Sequence, residues 1–312
     1  MTTRLGVAAS ATVLLAMLAQ VTTFSGLPAV ALPKAGQTKP RHNKIVDLLA
    51  RNQVVFGWFS TARTPDAAKK AIGDGQMDFV FINMERVQSY QPVEVKAFMQ
   101  TMSEGGLVKN PNSLPLATRL PIFHDDPVAA RQRTAEMLNL GVHAIVFPDM
   151  ESSEEARQAI AAMRYAQKGS TAPEGVRPDS VGGAPAYWGM PEKEYRQKAD
   201  VYPINPDGEL ASIFIVESVK GIENSREITR ERPTVAFPGP GTLRSVFQGD
   251  MAKVESAIQT QLASCKEFNV PCGITANVND IEKRIKEGFR MIIIYDRDYP
   301  ETIKAGRAAA GR

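Results

Sequence analysis

The chain reads as α/β, a (β/α)8 TIM barrel with a long insertion between its fourth and fifth strands. Three observations carry that reading. Eight short runs are apolar on both faces, as the strands of a parallel sheet are when helices cover both of its sides. Longer segments of helical period lie between them, which is the alternation that β-helix-β units impose. Eight such units are the number at which the repeat closes on itself. An open, doubly wound sheet is the alternative, but no glycine-rich turn of dinucleotide-binding form follows the first strand.

In chain order the strands are expected at 54–60, 78–83, 114–120, 143–149, 212–218, 233–239, 272–277 and 291–296. Helical period is clearest at 126–141 and at 152–166, and the latter opens on Ser152 with acidic residues behind it, as an N-cap and a first turn favour. Residues 167–209 break the alternation, being rich in Gly, Pro and aromatics. Connections of that length in a compact domain are usually functional or without fixed structure. The segment is expected either to cover the barrel mouth, with Tyr187 and Trp188 lining it, or to lie as a surface excursion, and aromatics in such a segment more often pack it down.

Ahead of the barrel, residues 1–31 have the features of a signal peptide. Arg4 precedes an apolar run at 6–18, and Ala29, Val30 and Ala31 have the small-x-small form of a cleavage site. The run is too short for a stable bilayer span, so a secreted or periplasmic chain cut near Ala31, with no stable membrane insertion, is expected. Retention as a membrane anchor is the alternative. Residues 32–44 read as a flexible tether, and a single domain over 45–312 starts near Ile45.

Composition bounds the function. Thirty-seven basic residues against 34 acidic ones leave a net charge of +3 with no long basic block, so nucleic acid is not an expected partner. Two cysteines, Cys265 and Cys272, exclude a disulfide-dense scaffold and a Cys-rich zinc module. In an oxidising compartment they either pair or remain two half-buried thiols.

In such a barrel the active site sits at the C-terminal ends of the strands. The polar residues there are Asn83, Glu85 and Arg86 after the second strand, Arg119 in the third, Asp149 and Glu151 after the fourth, and Glu217 at the end of the fifth. Arg119 and Glu217 lie inside apolar runs, where an unpaired charge is strongly disfavoured. They either neutralise each other as a structural pair or act as an anion clamp and a divalent-metal ligand, a hard oxygen donor suited to Mg²⁺ or Mn²⁺. His124, with Asp125 and Asp126 beside it, is a candidate base; Asp126 also suits a helix cap, which leaves His124 at the surface. His143 precedes its strand and belongs to the opposite, stabilising end.

The order of "GWF", "DFVFINMER", "TRLP", "LNLGVHAIVFPDMESSEEARQAIAAMRY", "IVES", "FPGPGTL" and "CGITAN" resembles the HpcH/HpaI family of metal-dependent 2-oxo acid aldolases, relatives of citrate lyase β-chains. The resemblance runs from about Phe56 to the C-terminus. It implies a phosphoenolpyruvate/pyruvate-type barrel, a carbon-carbon lyase acting on a small carboxylate substrate through an enolate, a divalent cofactor (Mg, Mn or Co) and a homo-oligomer. It places Arg119 at the oxo group and Glu217 on the metal, and assigns Gly241, Thr242 and Trp58 to substrate binding.

The same resemblance exposes departures at the chemistry. Thr242 stands where a second metal carboxylate is expected, and a hydroxyl is a poorer ligand for a hard dication. Asp149 is the residue offered in its place, or it simply opens the next helix. Arg86 stands at the base-forming histidine and Asn139 at its partner, and an arginine does not take up a proton near neutral pH. Ile215 stands where Gln is common. Two other readings therefore stay open: a barrel that binds a carboxylate without turnover, and a hydrolase or isomerase with Glu85 or Glu217 as base.

Overall fold

The computed structural model describes residues 1–2, 41–60, 62–104, 114–166 and 174–312. The chain divides into two units, Met1–Lys34 and Ala35–Arg312. Nearly all of the first, and with it the expected signal peptide and most of the tether, lies outside the described residues; the second holds the sheet and its helices. Among the described residues no helix is long and apolar enough to cross a membrane.

Nine strands form one parallel sheet: β1 (Val55–Ser60), β2 (Phe79–Asn83), β3 (Leu116–Arg119), β4 (Ala144–Phe147), β5 (Val201–Tyr202), β6 (Leu210–Val216), β7 (Val235–Pro238), β8 (Gly273–Thr275) and β9 (Met291–Tyr295). The eight expected runs all supply a strand, seven of them trimmed at their ends and one, β6, set two residues earlier than 212–218. Only β5 was not foreseen, because two residues leave no period to read. The order runs β6-β4-β3-β2-β1-β9-β8, with β7 paired to the other side of β6. The sheet is curled, so that the first strand meets the last: Val55 to Phe59 pair with Met291 to Tyr295. Between β7 and β8 there is a single isolated bridge, Ala236 with Cys272, where the Ala236 amide donates to the Pro271 carbonyl at 3.1 Å.

Alternation along each strand sends one set of side chains to the concave side and the other under the helices. Phe79, Phe81, Ala117, Val146, Ile213, Ile215, Val235, Phe237 and Ile293 pack together on the concave side. Gly57 belongs there because a Cβ at that position would sit 2.1 Å from the Phe79 ring. Trp58, one residue along, faces outward into the helix-covered cluster, with its indole donating to Asp296. The expectation that Trp58 touches substrate is therefore corrected by strand parity.

The helix Lys44–Ala50 closes the N-terminal end of the concave side, burying Ile45, Val46, Leu48 and Leu49 in the same cluster. Its cap, Asn43, is fully buried, accepts from the Ile45 amide and donates to the carbonyls of His143 and Glu209. Arg41 donates to the carbonyls of Pro206 and Gly208. Among the described residues, 41–44 are thus already packed ahead of Ile45.

The long segment before β6 is described from residue 174 and holds two short helices, Ala184–Trp188 and Glu192–Lys198, before β5. It packs at the N-terminal end of the sheet. The Trp188 indole donates to the Gly141 carbonyl at 2.8 Å, and the Tyr195 hydroxyl donates to that of Leu138. Of the two alternatives for Tyr187 and Trp188, the structure has them packing the segment down and not lining the mouth, since both lie against the residues that precede β4.

Trp188 stacks on His143 at 5.1 Å and on His42 at 4.8 Å, so two imidazoles are enclosed at this end. Burial, with the Lys198 charge nearby, lowers His42 to about 4, and burial, with His42 nearby, lowers His143 well below 6.5. A folded value below the unfolded one means the neutral rings stabilise fully above about pH 6.5 and cease to as pH falls toward 4. Glu209, raised by its burial, titrates in the opposite sense nearby. Urea midpoints of the wild type and of His143→Phe, taken from pH 7.5 to 4.5, are expected to converge as pH falls; parallel curves would exclude this role for His143.

Cys265 and Cys272 are bonded, with Cα atoms 5.6 Å apart, tying the end of the helix Met251–Phe268 to the start of β8. Closing so short a loop stabilises by about 2 to 3 kcal/mol through the unfolded chain. The double variant Cys265→Ser with Cys272→Ser should lose that amount in urea unfolding at neutral pH, and a loss below about 0.5 kcal/mol would leave the bond without a stabilising role.

Candidate active site

The C-terminal ends of β3 and β6 bring Arg119 and Glu217 together. Arg119 ends β3, in register with Asn83 of β2, and Glu217 follows Val216, the last residue of β6. One guanidinium nitrogen of Arg119 donates to both Glu85, at 2.7 Å, and Glu217. The Glu217 side chain is only 3% exposed, that of Arg119 12%, and that of Glu85 30%. The expected pair is thus a triad, with the outermost carboxylate closest to solvent. The Arg119 Nε is buried without a hydrogen-bond partner, which leaves one donor for an acceptor from outside the protein.

Glu217 rests on the turn after β7. A Cβ at Gly239 would fall 2.1 Å from the Glu217 carboxylate, so glycine is what allows the approach. Thr242, from the helix Pro240–Val246, lies beside that carboxylate and favours its charged form. Burial raises the Glu217 pKa, opposed by Arg119 and Thr242 and reinforced by the charges of Glu85 and Asp149. Arg119, Glu217, Gly241 and Thr242 line one pocket, whose remaining wall is mainly Phe59, Phe81, Ile215, Phe237, Ile293 and Tyr295. The aromatic members of that wall were not picked out from the sequence, although the period-two alternation that places Gly57 on the concave side also places Phe59, Phe81 and Phe237 there.

Asp149 follows β4 in a left-handed backbone conformation, φ 49°, and one of its carboxylate oxygens is buried without a partner. Burial and the Glu151 charge raise its pKa. Among the described residues no group of three or more His, Cys, Asp or Glu is placed to hold a metal ion, so Glu217 and Asp149 are not joined by a third such ligand. Glu151 itself accepts from Ser218 and pairs with Lys220.

The other candidates fall outside the pocket wall. Arg86 is exposed ahead of a short 3-10 turn. Asn139 accepts from Arg177 near the end of the helix Pro127–Leu140, which runs up to the start of β4. A dyad of Arg86 and Asn139 cannot form, because one residue follows its strand and the other precedes one. His124 bonds through Nδ1 to Glu155 at 3.1 Å, and Asp126 caps the helix Pro127–Leu140. His143 is buried at the N-terminal end, as its place before β4 implied.

A charged triad at the strand ends of a curled, helix-covered parallel sheet makes this an α/β protein with a carboxylate-bearing mouth among the described residues. The chain belongs to the HpcH/HpaI aldolase/citrate lyase family, whose model matches residues 55–293. It is 26% identical over 250 residues to the 5-keto-4-deoxy-D-glucarate aldolase of Salmonella paratyphi A, a match spanning 78% of this chain and 86% of the relative. A HpcH/HpaI aldolase/citrate lyase family protein from Burkholderia cenocepacia has the same fold, with TM-score 0.68 and 21% identity, over 86% of this chain and 97% of that one. The citrate lyase beta subunit of M. tuberculosis, complexed with oxaloacetate and magnesium, matches at TM-score 0.51 and 15% identity, over 84% and 99%.

Proposed function

We propose that the protein makes or breaks a carbon-carbon bond next to the oxo group of a small 2-oxo acid, through an enolate held at Arg119. The observation that carries this is the Arg119 guanidinium at the mouth, fixed by Glu85 and Glu217, with a buried Nε left free to donate. A donor set aimed at the place where an oxyanion develops lowers the barrier most where water is excluded. Membership of an aldolase/citrate lyase family supports the reaction class. The curl of the sheet, with its first and last strands paired, supports a complete (β/α)8 barrel around the mouth.

Glu217 and Asp149 would hold a divalent ion. Burial first, and like charge after it, raises the pKa of both carboxylates, and one Asp149 oxygen lacks a partner, so a cation there would favour their charged forms. Two carboxylates suffice for an ion such as Mg²⁺, which keeps several waters and completes its shell with substrate oxygens. When bound, such an ion supplies positive charge to the enolate oxygen. Glu85, bonded to Arg119 and the most exposed of the triad, is assigned the proton transfer. Arg119 orients the oxo acid, and the apolar wall excludes water from the enolate.

Export to an oxidising compartment is the accompanying proposal, supported by the bonded Cys265 and Cys272. Assembly as a homo-oligomer is proposed from the family resemblance alone, and light scattering tests it.

The test is methyl deuteration of pyruvate in D₂O, followed by NMR, with and without Mg²⁺ or Mn²⁺. Metal-dependent exchange is expected. A second reading, binding of a carboxylate without turnover, is favoured by Thr242 occupying the ligand position beside Glu217. Absence of exchange by the folded protein would reject the enolate chemistry in favour of that reading.

A further inference from the structure

We infer that Tyr295 is a catalytic acid for the carbon-carbon step, its phenol hydroxyl giving a proton to the carbonyl oxygen of the second reactant. The inference rests on the reading of Arg119 as the group that holds the enolate.

The pocket has polar groups besides those gathered at Glu217. Tyr295 ends β9 and Thr275 ends β8, and both line the pocket with Arg119. β1 and β2 stand between β9 and β3, so Tyr295 and Arg119 enter the pocket from strands that are not neighbours. Arg119 is engaged with Glu85 and Glu217, whereas no hydrogen bond among the described residues engages the Tyr295 hydroxyl. The ring that carries it is held nonetheless. Tyr295 is in register with Phe59, whose ring meets it at 4.8 Å, and the Arg297 guanidinium lies over it at 4.9 Å. A fixed ring with an uncommitted hydroxyl is what a proton donor to a ligand requires. Burial, reinforced by the Glu217 charge, raises the pKa of the phenol, so it is protonated at neutral pH. Arg119 and Arg297 favour the phenolate left once the proton has gone. Thr275 can donate a bond to the same oxygen, but its alkyl hydroxyl gives up a proton far less readily than a phenol does.

Making the bond takes two proton movements. The first leaves the methyl carbon of the oxo acid for Glu85. The enolate carbon then attacks the carbonyl carbon of the second reactant, the carbonyl π pair moves on to oxygen, and the Tyr295 proton follows it. The phenolate recovers a proton from water and Glu85 returns its own, so none is gained or lost. Deuteration of pyruvate alone reports only the first movement.

Tyr295→Phe, which keeps the ring and removes the hydroxyl, separates the two. NMR follows methyl deuteration with pyruvate and Mg²⁺, and adduct formation when acetaldehyde, glycolaldehyde or glyoxylate is added. The variant should lose adduct formation by at least about 100-fold, the scale of general acid catalysis, and deuteration by less than about tenfold. Arg119→Ala should lower both together. Equal losses in Tyr295→Phe, or adduct formation within about threefold of the wild type, overturn the role of Tyr295 and leave the enolate reading standing. A wild type that deuterates pyruvate but captures none of these aldehydes overturns it as well. Absence of deuteration in the wild type rejects the enolate reading and this role with it, so the two failures are told apart.

Discussion

Arg119→Ala is expected to lower pyruvate deuteration by at least about 100-fold, the loss typical of removing a principal oxyanion donor. It is also expected to destabilise the protein. Glu217 is 3% exposed, and without Arg119 its nearest cation is gone. Stranding one charge of a buried pair costs about 3 to 5 kcal/mol, less whatever Glu217 recovers by taking up a proton, which its raised pKa already favours. Two further variants separate the roles. Arg119→Ala combined with Glu217→Gln should regain stability without regaining rate. Arg119→Lys should keep the charge but not the rate, because an ammonium lacks the planar fork that reaches several acceptors at once. Exchange at wild-type rate in either single variant would remove Arg119 from the chemistry.

Arg164→Ala should be the most destabilising single change away from the mouth. Arg164 and Asp200 are each 2% exposed and paired twice, Nε to Oδ1 at 2.6 Å and a terminal nitrogen to Oδ2 at 3.0 Å. Asp200 further accepts from the Val201 amide and from Asn205, so it sits at the root of β5. Burial works against its charge, yet the bonds from Arg164 hold its pKa below the usual carboxylate range. Removing the guanidinium is expected to cost about 3 to 5 kcal/mol in urea unfolding. Arg164→Met with Asp200→Leu, which removes both charges, should cost less. A single variant within about 1 kcal/mol of the wild type would show the pair to be dispensable.

The sequence made the sheet readable and its lower end opaque. Strands such as Met291–Tyr295 are legible because four successive apolar residues buried on both faces leave few other readings. Arg119 and Glu217 were legible for the converse reason, as charges inside such runs that have to find each other. What could not be read was long-range and local to no motif. The seat of Trp188 on the Gly141 carbonyl joins residues 47 apart in the chain and leaves no period. Trp58 and Asn139 are different, for the information was present. Parity with Gly57 puts Trp58 under the helices, and a residue preceding β4 lies at the wrong end for chemistry.

Asp78, fully buried at the start of β2, is shared by Lys44, Arg307 and Arg312, and Arg312 also donates to the Val54 carbonyl. The helix Lys44–Ala50 and residue 312 are therefore moored to one post, at the end of the sheet away from Arg119. A tag added at residue 312 would therefore start at the end of the sheet away from Arg119. Immobilised through such a tag, the protein would keep its mouth open to solvent.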